Sequence, residues 1–227
     1  MRVTLFLPVR NEIAGVRRIL PKIRREWVDE ILAVDAHSTD GTREYLLGAG
    51  ARVVDQKSRG VGGAYWECVR EASGDAIIAF SPDGNSLPEL IPVLADRMRE
   101  GYDMVIASRY AEGARSYDDD CVTALGNRIF TLAVNLLFGG SCTDSLVMLR
   151  AFRKDLPERL GMRPSELPVF EYQLCIRCAK RKMRTLDIPG DEPPRIGDAR
   201  KMRPFFNGSA LLWCLAKEAL GGLSPRR

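Results

Sequence analysis

The sequence predicts an α/β protein: a mostly parallel central sheet with helices on both faces. Short β-branched or apolar runs alternate with longer amphipathic ones, and polar or glycine-rich turns separate them. Several short runs are apolar throughout, as strands buried on both faces are. Residues 3–8 read as the first strand, after which Ile13, Val16, Ile19, Leu20, Ile23 and Trp27 recur at helical spacing. Residues 30–34 form a second strand, ending in the polar turn Asp35-Ala36-His37-Ser38-Thr39-Asp40-Gly41-Thr42 that caps the next helix. Residues 52–54 are a third, short strand. Arg59-Gly60-Val61-Gly62-Gly63 is a glycine-rich turn ahead of a helix over 64–72. A fourth strand over 76–80 stops at Ser81-Pro82-Asp83-Gly84-Asn85, a helix covers 90–99, and a fifth strand 104–107.

Beyond residue 110 the rhythm changes. A polar stretch over 112–120 precedes an apolar helix over 124–138; loop and strand fill 139–153 and a helix 170–182. Residues 184–194 begin as a short strand and end in a proline-rich loop, and 204–220 form an apolar helix carrying Lys217 and Glu218. The expected organisation is one domain in two halves, 1–110 and 111–203, with a C-terminal amphipathic helix and tail over 204–227.

A chain of 227 residues can bury a core without disulfide or metal staples. A net charge of +4 is too small to argue for nucleic acid. No charged leader precedes a long apolar stretch, so no signal peptide is read, and no uninterrupted apolar run approaches the ~20 residues of a membrane span. Six cysteines without an export signal read as free thiols of a cytoplasmic protein. Cys175-Ile-Arg-Cys178 lacks a second pair at zinc-finger spacing and reads as two helix cysteines.

Ligands of open parallel sheets bind at the carboxyl ends of the strands. Here those ends carry Asn11-Glu12, Asp35, Asp83 and Ser108-Arg109. Each residue alone reads as a cap or turn-maker, Asp40 and Asn85 especially. Four strand ends offering polar groups to one edge point instead to a site.

Leu7-Pro8-Val9-Arg10-Asn11-Glu12, the Val34–Thr42 segment, Gly60-Val61-Gly62-Gly63-Ala64, Gly74-Asp75 and Ser81-Pro82-Asp83 resemble glycosyltransferase family 2. Ala107-Ser108-Arg109-Tyr110 and Asp144-Ser145 with Arg150-Ala151-Phe152 extend the likeness, toward the branch of dolichol-phosphate mannose synthase and other polyprenyl-phosphate sugar transferases. The resemblance covers residues 1–155 well and continues weakly through Phe170-Glu171 and Ile188-Pro189 to Arg195-Ile196-Gly197. It implies a GT-A fold, sugar transfer with inversion from a UDP- or GDP-sugar, and Mg²⁺ or Mn²⁺ as cofactor. On that pattern Pro8, Asn11 and Glu12 shape the base and ribose pocket and Asp35 accepts from the base. Arg59, in a turn with Gly60 and Gly63, offsets phosphate charge. Arg195, Arg200 and Lys201 match a loop that closes over the diphosphate.

Two departures stand out. Ser81-Pro82-Asp83 replaces the family's Asp-x-Asp, leaving Asp83, with Asn85 two residues on, as the metal ligands. Ala36 stands where a second Asp commonly follows Asp35, which leaves the base open. Arg109 is expected to recognise the acceptor's phosphate. Asp118-Asp119-Asp120 would repel such a phosphate unless a metal or arginines intervene; they read as a solvated loop or, more sharply, as carboxylates that hold a hydroxyl acceptor or help the metal. A hydroxyl acceptor needs a base, for which Asp144 is the candidate and Asp119 or Asp120 the alternative; a lipid phosphate needs none.

The 204–220 helix, preceded by Arg200, Lys201 and Arg203, is expected either to lie on an anionic membrane, peripheral at its inner face, or to pack on the domain or a second copy of the chain. Two competing functions remain. One is a nucleotidyltransferase, weakened because residues 7–12 contain no glycine; the other is a degenerate donor-binding module, suggested by Ser81 and Ala36.

Overall fold

A computed structural model describes residues 1–165, 167–196 and 204–221. Among them run β1 (Val3–Val9), α1 (Ile13–Ile19), β2 (Glu30–Asp35), α2 (Thr42–Gly48), β3 (Arg52–Asp55), α3 (Gly60–Glu71), β4 (Ala76–Ala79), α4 (Leu90–Arg99) and β5 (Met104–Ser108). Then follow α5 (Cys121–Phe138), β6 (Arg150–Arg153), α6 (Leu156–Arg159), α7 (Phe170–Lys180), β7 (Thr185–Pro189) and α8 (Pro204–Leu220).

The seven strands form one sheet in the order β3-β2-β1-β4-β6-β5-β7. Every pairing is parallel except those of β6, which runs antiparallel between β4 and β5. Residues of β4 and β5 are buried without interruption, and β1 nearly so, because helices cover both faces. Register then does the positioning. Val9 pairs with Asp35 and Asp35 with Asp55, so β1, β2 and β3 end level on one edge. Ser108 pairs with Pro189, which brings the ends of β5 and β7 together.

Three elements differ from the sequence reading. The apolar rhythm from Ile13 to Trp27 is not one helix: α1 stops at Ile19, and 3₁₀ turns cover Leu20–Lys22 and Arg25–Trp27. Pro21 has no N–H to donate to the preceding turn, so the α-helix ends there. The glycine-rich turn is itself the start of α3. The apolar helix begins at Cys121, where the Asp120 carboxylate accepts from the Thr123 N–H as an N-cap.

By length and composition α5 is apolar enough to cross a membrane, although Asn127, Arg128 and Asn135 interrupt its apolar run. It lies on the domain with only Thr131 and Val134 buried. The C-terminal helix α8 packs back against α7 and α5 through Ala210, Leu211 and Cys214. Cys175 and Cys178 are buried on α7.

One close approach ties the fold to the site. A Cβ on Gly15 would lie 2.4 Å from the Pro82 carbonyl oxygen, so α1 supports the 81–83 loop through a residue without a side chain. Helix propensity alone would favour alanine by ~1 kcal/mol, but overpacking of this kind costs about 1–3 kcal/mol. Gly15→Ala is therefore expected to lower the melting temperature by several degrees in a thermal scan.

Candidate functional site

The carboxyl ends of β1, β4, β5 and β7 open onto one cavity of about 720 Å³. Its wall includes Pro8, Glu12, Ala36, Gln56 and Gly60 from the first half of the chain, then Ser81, Asp83 and Asn85. Arg109, Asp119, Glu171, Glu192 and Arg195 line it as well, and residues 146–149 supply an apolar patch.

The first two motifs hold each other. Asn11, in the left-handed region at φ 53°, accepts from the Thr39 N–H at 2.8 Å and donates its own N–H to Ser38 Oγ at 2.9 Å. Asparagine tolerates that backbone state better than most residues. The Glu12 N–H reaches Thr42 Oγ1 at 2.9 Å, and the Ile13 N–H reaches Asp40. Asp40 also accepts from the backbone and hydroxyl of Thr42. Burial works against its charge, yet these bonds hold the Asp40 carboxyl below its ordinary range.

Asp35 is buried under this clasp. Its Oδ1 accepts from the Ser38 N–H and hydroxyl, and Arg43 stands 3.5 Å from Oδ2. Asn11 and Asp35 thus sit behind the wall that Pro8, Glu12 and Ala36 present. Arg59 caps the start of α3, and Gly63 is buried where a Cβ would meet the Ser58 carbonyl oxygen at 2.5 Å. Neither lines the cavity. Gln56 does, donating from Nε2 to the carbonyls of Ser58 and Gly60, so it shapes that turn.

On the far side stands a buried cation. Arg109 binds Asp144 through both ends of the carboxylate, Nε to Oδ2 at 2.7 Å and Nη2 to Oδ1 at 3.0 Å. Its Nη1 lies 3.4 Å from both Asp119 and Glu192, and its guanidinium lies 5.2 Å from the Tyr110 ring centroid. Burial would disfavour this charge, but the Asp144 charge and hydrogen bonds outweigh it and hold Arg109 protonated. Asp144 is itself fully buried and accepts further N–H bonds from Leu146 and Val147. It stands behind Arg109, not on the cavity surface.

Glu192 follows β7. It accepts from Ser116 Oγ and Asn85 Nδ2, and burial pushes its carboxyl above the ordinary range despite Arg109. Burial raises Glu171 likewise. The strand-end rule, applied to β7 as it was to the earlier strands, would have found Glu192; the proline-rich loop hid it. The lining residues 146–149 and Glu171 carry no motif signal, because only the return of β6 and α7 places them there.

Asp83 faces the cavity. Its Oδ1 accepts from the Asn85 N–H at 3.3 Å, and Arg195 lies 3.5 Å from Oδ2 while donating to Asp118 at 2.8 Å. The Ile196 N–H bonds the Asp83 carbonyl oxygen at 2.6 Å, pinning the segment after β7 onto the 81–85 loop. No group of three His, Cys, Asp or Glu side chains at metal-binding spacing occurs among the described residues. One carboxylate and one amide fit a hard divalent ion shared with a diphosphate, not an ion the chain would hold alone. Arg200 lies outside the described residues.

The family model for glycosyl transferase family 2 matches residues 4–161, well over half of the chain. The chain belongs to glycosyl transferase family 2. Glycosyltransferase AglJ of Haloferax volcanii is 29% identical over 96% of this chain and 72% of its own length. The dolichyl-phosphate hexose transferase of the same organism is 27% identical over 92% and 90%. A solved glucosyl-3-phosphoglycerate synthase from Mycobacterium tuberculosis, in complex with Mn²⁺, UDP and phosphoglyceric acid, matches with a TM-score of 0.74 and 23% identity, over 99% of this chain and 80% of that one. The fold of this family 2 member is therefore GT-A, with β6 as its antiparallel strand.

The Arg109–Asp144 contact predicts a measurable cost. Removing one partner of a buried pair costs about 3–5 kcal/mol, and Asp119 and Glu192 remain to share the charge. Asp144→Asn is expected to fall at the lower end, about 3 kcal/mol, in urea unfolding.

Proposed function

We propose that the chain moves a sugar, with inversion, from a UDP- or GDP-sugar to a polyprenyl phosphate at the inner face of a membrane. The observation that carries this reading is that Asp83 and Arg109 line one cavity. Relatives named as dolichyl-phosphate and undecaprenyl-phosphate sugar transferases support the acceptor class.

In this reading the segment through residue 110 carries most of the donor site and residues 111–203 most of the acceptor site, with Arg109 and Arg195 serving across that division. Pro8, Glu12 and Ala36 border the base and ribose, with Asn11 and Asp35 holding that wall from behind. Asp83 and Asn85 would hold Mg²⁺ or Mn²⁺, which would supply positive charge to offset that of the leaving diphosphate. Arg195, near Asp83, adds charge of the same sign, and Arg59 and Gly60 shape the turn beside it. Arg109 orients the acceptor phosphate, and Asp144 is its positioning residue. An acceptor oxygen attacks the anomeric carbon, the bond from that carbon to the diphosphate breaks, and nucleoside diphosphate leaves. A phosphate acceptor arrives as an anion and needs no base.

One observation favours a second acceptor class. Asp119 and Glu192 flank Arg109 on the wall, and burial raises the Glu192 carboxyl, as suits a base taking a proton from a hydroxyl.

Incubation with UDP- and GDP-sugars plus Mn²⁺, with and without a short-chain polyprenyl phosphate, tests the proposal. Nucleoside diphosphate release that the lipid accelerates is the expected result. Acceleration only by hydroxyl acceptors favours the second class, and no release from any donor leaves a donor-binding protein. Asp83→Ala is expected to lower release at least about a hundredfold.

A further inference from the structure

We propose that the outward faces of α5 and α8 form one docking surface for an anionic lipid bilayer, with α5 lying along the membrane rather than through it. The inference deepens the proposed function, on whose membrane-facing reading it rests, and its own observation is the exposed face.

Fourteen large apolar side chains are exposed among the described residues, and ten of them belong to these two helices. On α5, Val122, Leu125, Ile129, Leu132 and Leu136 are spaced three and four apart, which stacks them on one side of the helix. Their exposures run from 54% to 81%. Trp213 of α8, 63% exposed, adds an aromatic of the kind that settles at headgroup level. Contiguous apolar surface of this extent marks an interaction site.

The inner side of α5 is fastened along its length. Asn127 Nδ2 donates to Tyr110 and Asp119, Thr131 bonds Ser145, and Asn135 donates to the Cys142 carbonyl. A crossing helix would have to give up all of these. An in-plane helix keeps them and wets only its domain side.

Charge selects the occupant. Arg128 and Lys217 are exposed on the two helices. The single acid within them, Glu218, is 6% exposed and paired with Arg177 and Lys180. In the sequence, Arg200, Lys201 and Arg203 come just before α8. A second copy of the chain would offer Arg128 and Lys217 no exposed acid from either helix. An anionic bilayer meets apolar side chains with acyl chains and cations with phosphates. Thr123 and Asn127 of α5 and Phe206, Asn207 and Leu211 of α8 line the large cavity, so docking sets its mouth at the headgroups.

The test is flotation of the full chain with phosphatidylcholine vesicles and with vesicles of equal parts phosphatidylcholine and phosphatidylglycerol. Binding to the mixed vesicles that weakens with added salt is expected, with a blue shift in tryptophan emission that Trp213→Phe removes. Leu132→Glu and Trp213→Glu, on separate helices, should each weaken partitioning at least about tenfold, with melting temperature unchanged. Failure to float overturns the proposal, as does flotation that neither glutamate weakens. A dimer in sedimentation that either glutamate dissolves, without vesicle binding, assigns the face to a second copy instead. Donor turnover in detergent-free buffer is read separately, so failure of docking is told apart from failure of transfer.

Discussion

The buried charge of Arg109 is the constraint around which one side of the molecule is built. A protonated guanidinium is costly in a protein interior unless acceptors surround it; backbone carbonyls serve Arg150, and carboxylates serve Arg109. Asp144 supplies the bidentate contact, and Asp119 and Glu192 the rest. These partners come from three separate connections, after β5, before β6 and after β7. Neutralising one charge therefore fixes three loops. Residues 146–149 inherit their place on the cavity wall from the same contact, through the N–H groups that Leu146 and Val147 give to Asp144.

The wall of Pro8, Glu12 and Ala36 is held by hydrogen bonds, several of them to the Asp35 and Asp40 carboxylates, and by the two ion pairs of Arg43. Asn11, Ser38, Thr39, Asp40 and Thr42 satisfy each other's polar groups, so two turns at adjacent strand ends behave as one unit. Arg43 ties Asp35 to Asp55 at the next strand end. The motif residues are thus framework as much as surface. Those that meet the cavity, Pro8, Glu12 and Ala36, are their sequence neighbours. The divided labour has a physical basis: a carboxylate serving a ligand must keep lone pairs open, and Asp35 has committed its own to Ser38 and Arg43.

The 81–85 loop is held from the segment after β7: Arg195 stands beside the Asp83 carboxylate, and the Ile196 N–H is bonded to the Asp83 carbonyl oxygen. Helix α5 turns Asn127, Thr131 and Asn135 toward the domain, α8 packs Ala210, Leu211 and Cys214 against it, and both leave large apolar side chains exposed.

The sequence by itself determined the sheet and its polar edge. Hydrophobic period, turn residues and strand ends are local properties, and each is written within a few residues. It also marked Asp83, Arg109 and Glu12 as residues at strand ends, where the cavity lies. What only the tertiary structure decided is direction and company. Whether Asp144 opens to a ligand or backs an arginine depends on which loop returns beside it, and that depends on β6 running antiparallel between two parallel strands. The same holds for Glu192, brought to Arg109 across 83 positions of chain by the pairing of β7 with β5. Apolar period in α5 announced a helix, but its burial is a property of its neighbours: the domain covers one side and leaves the other exposed.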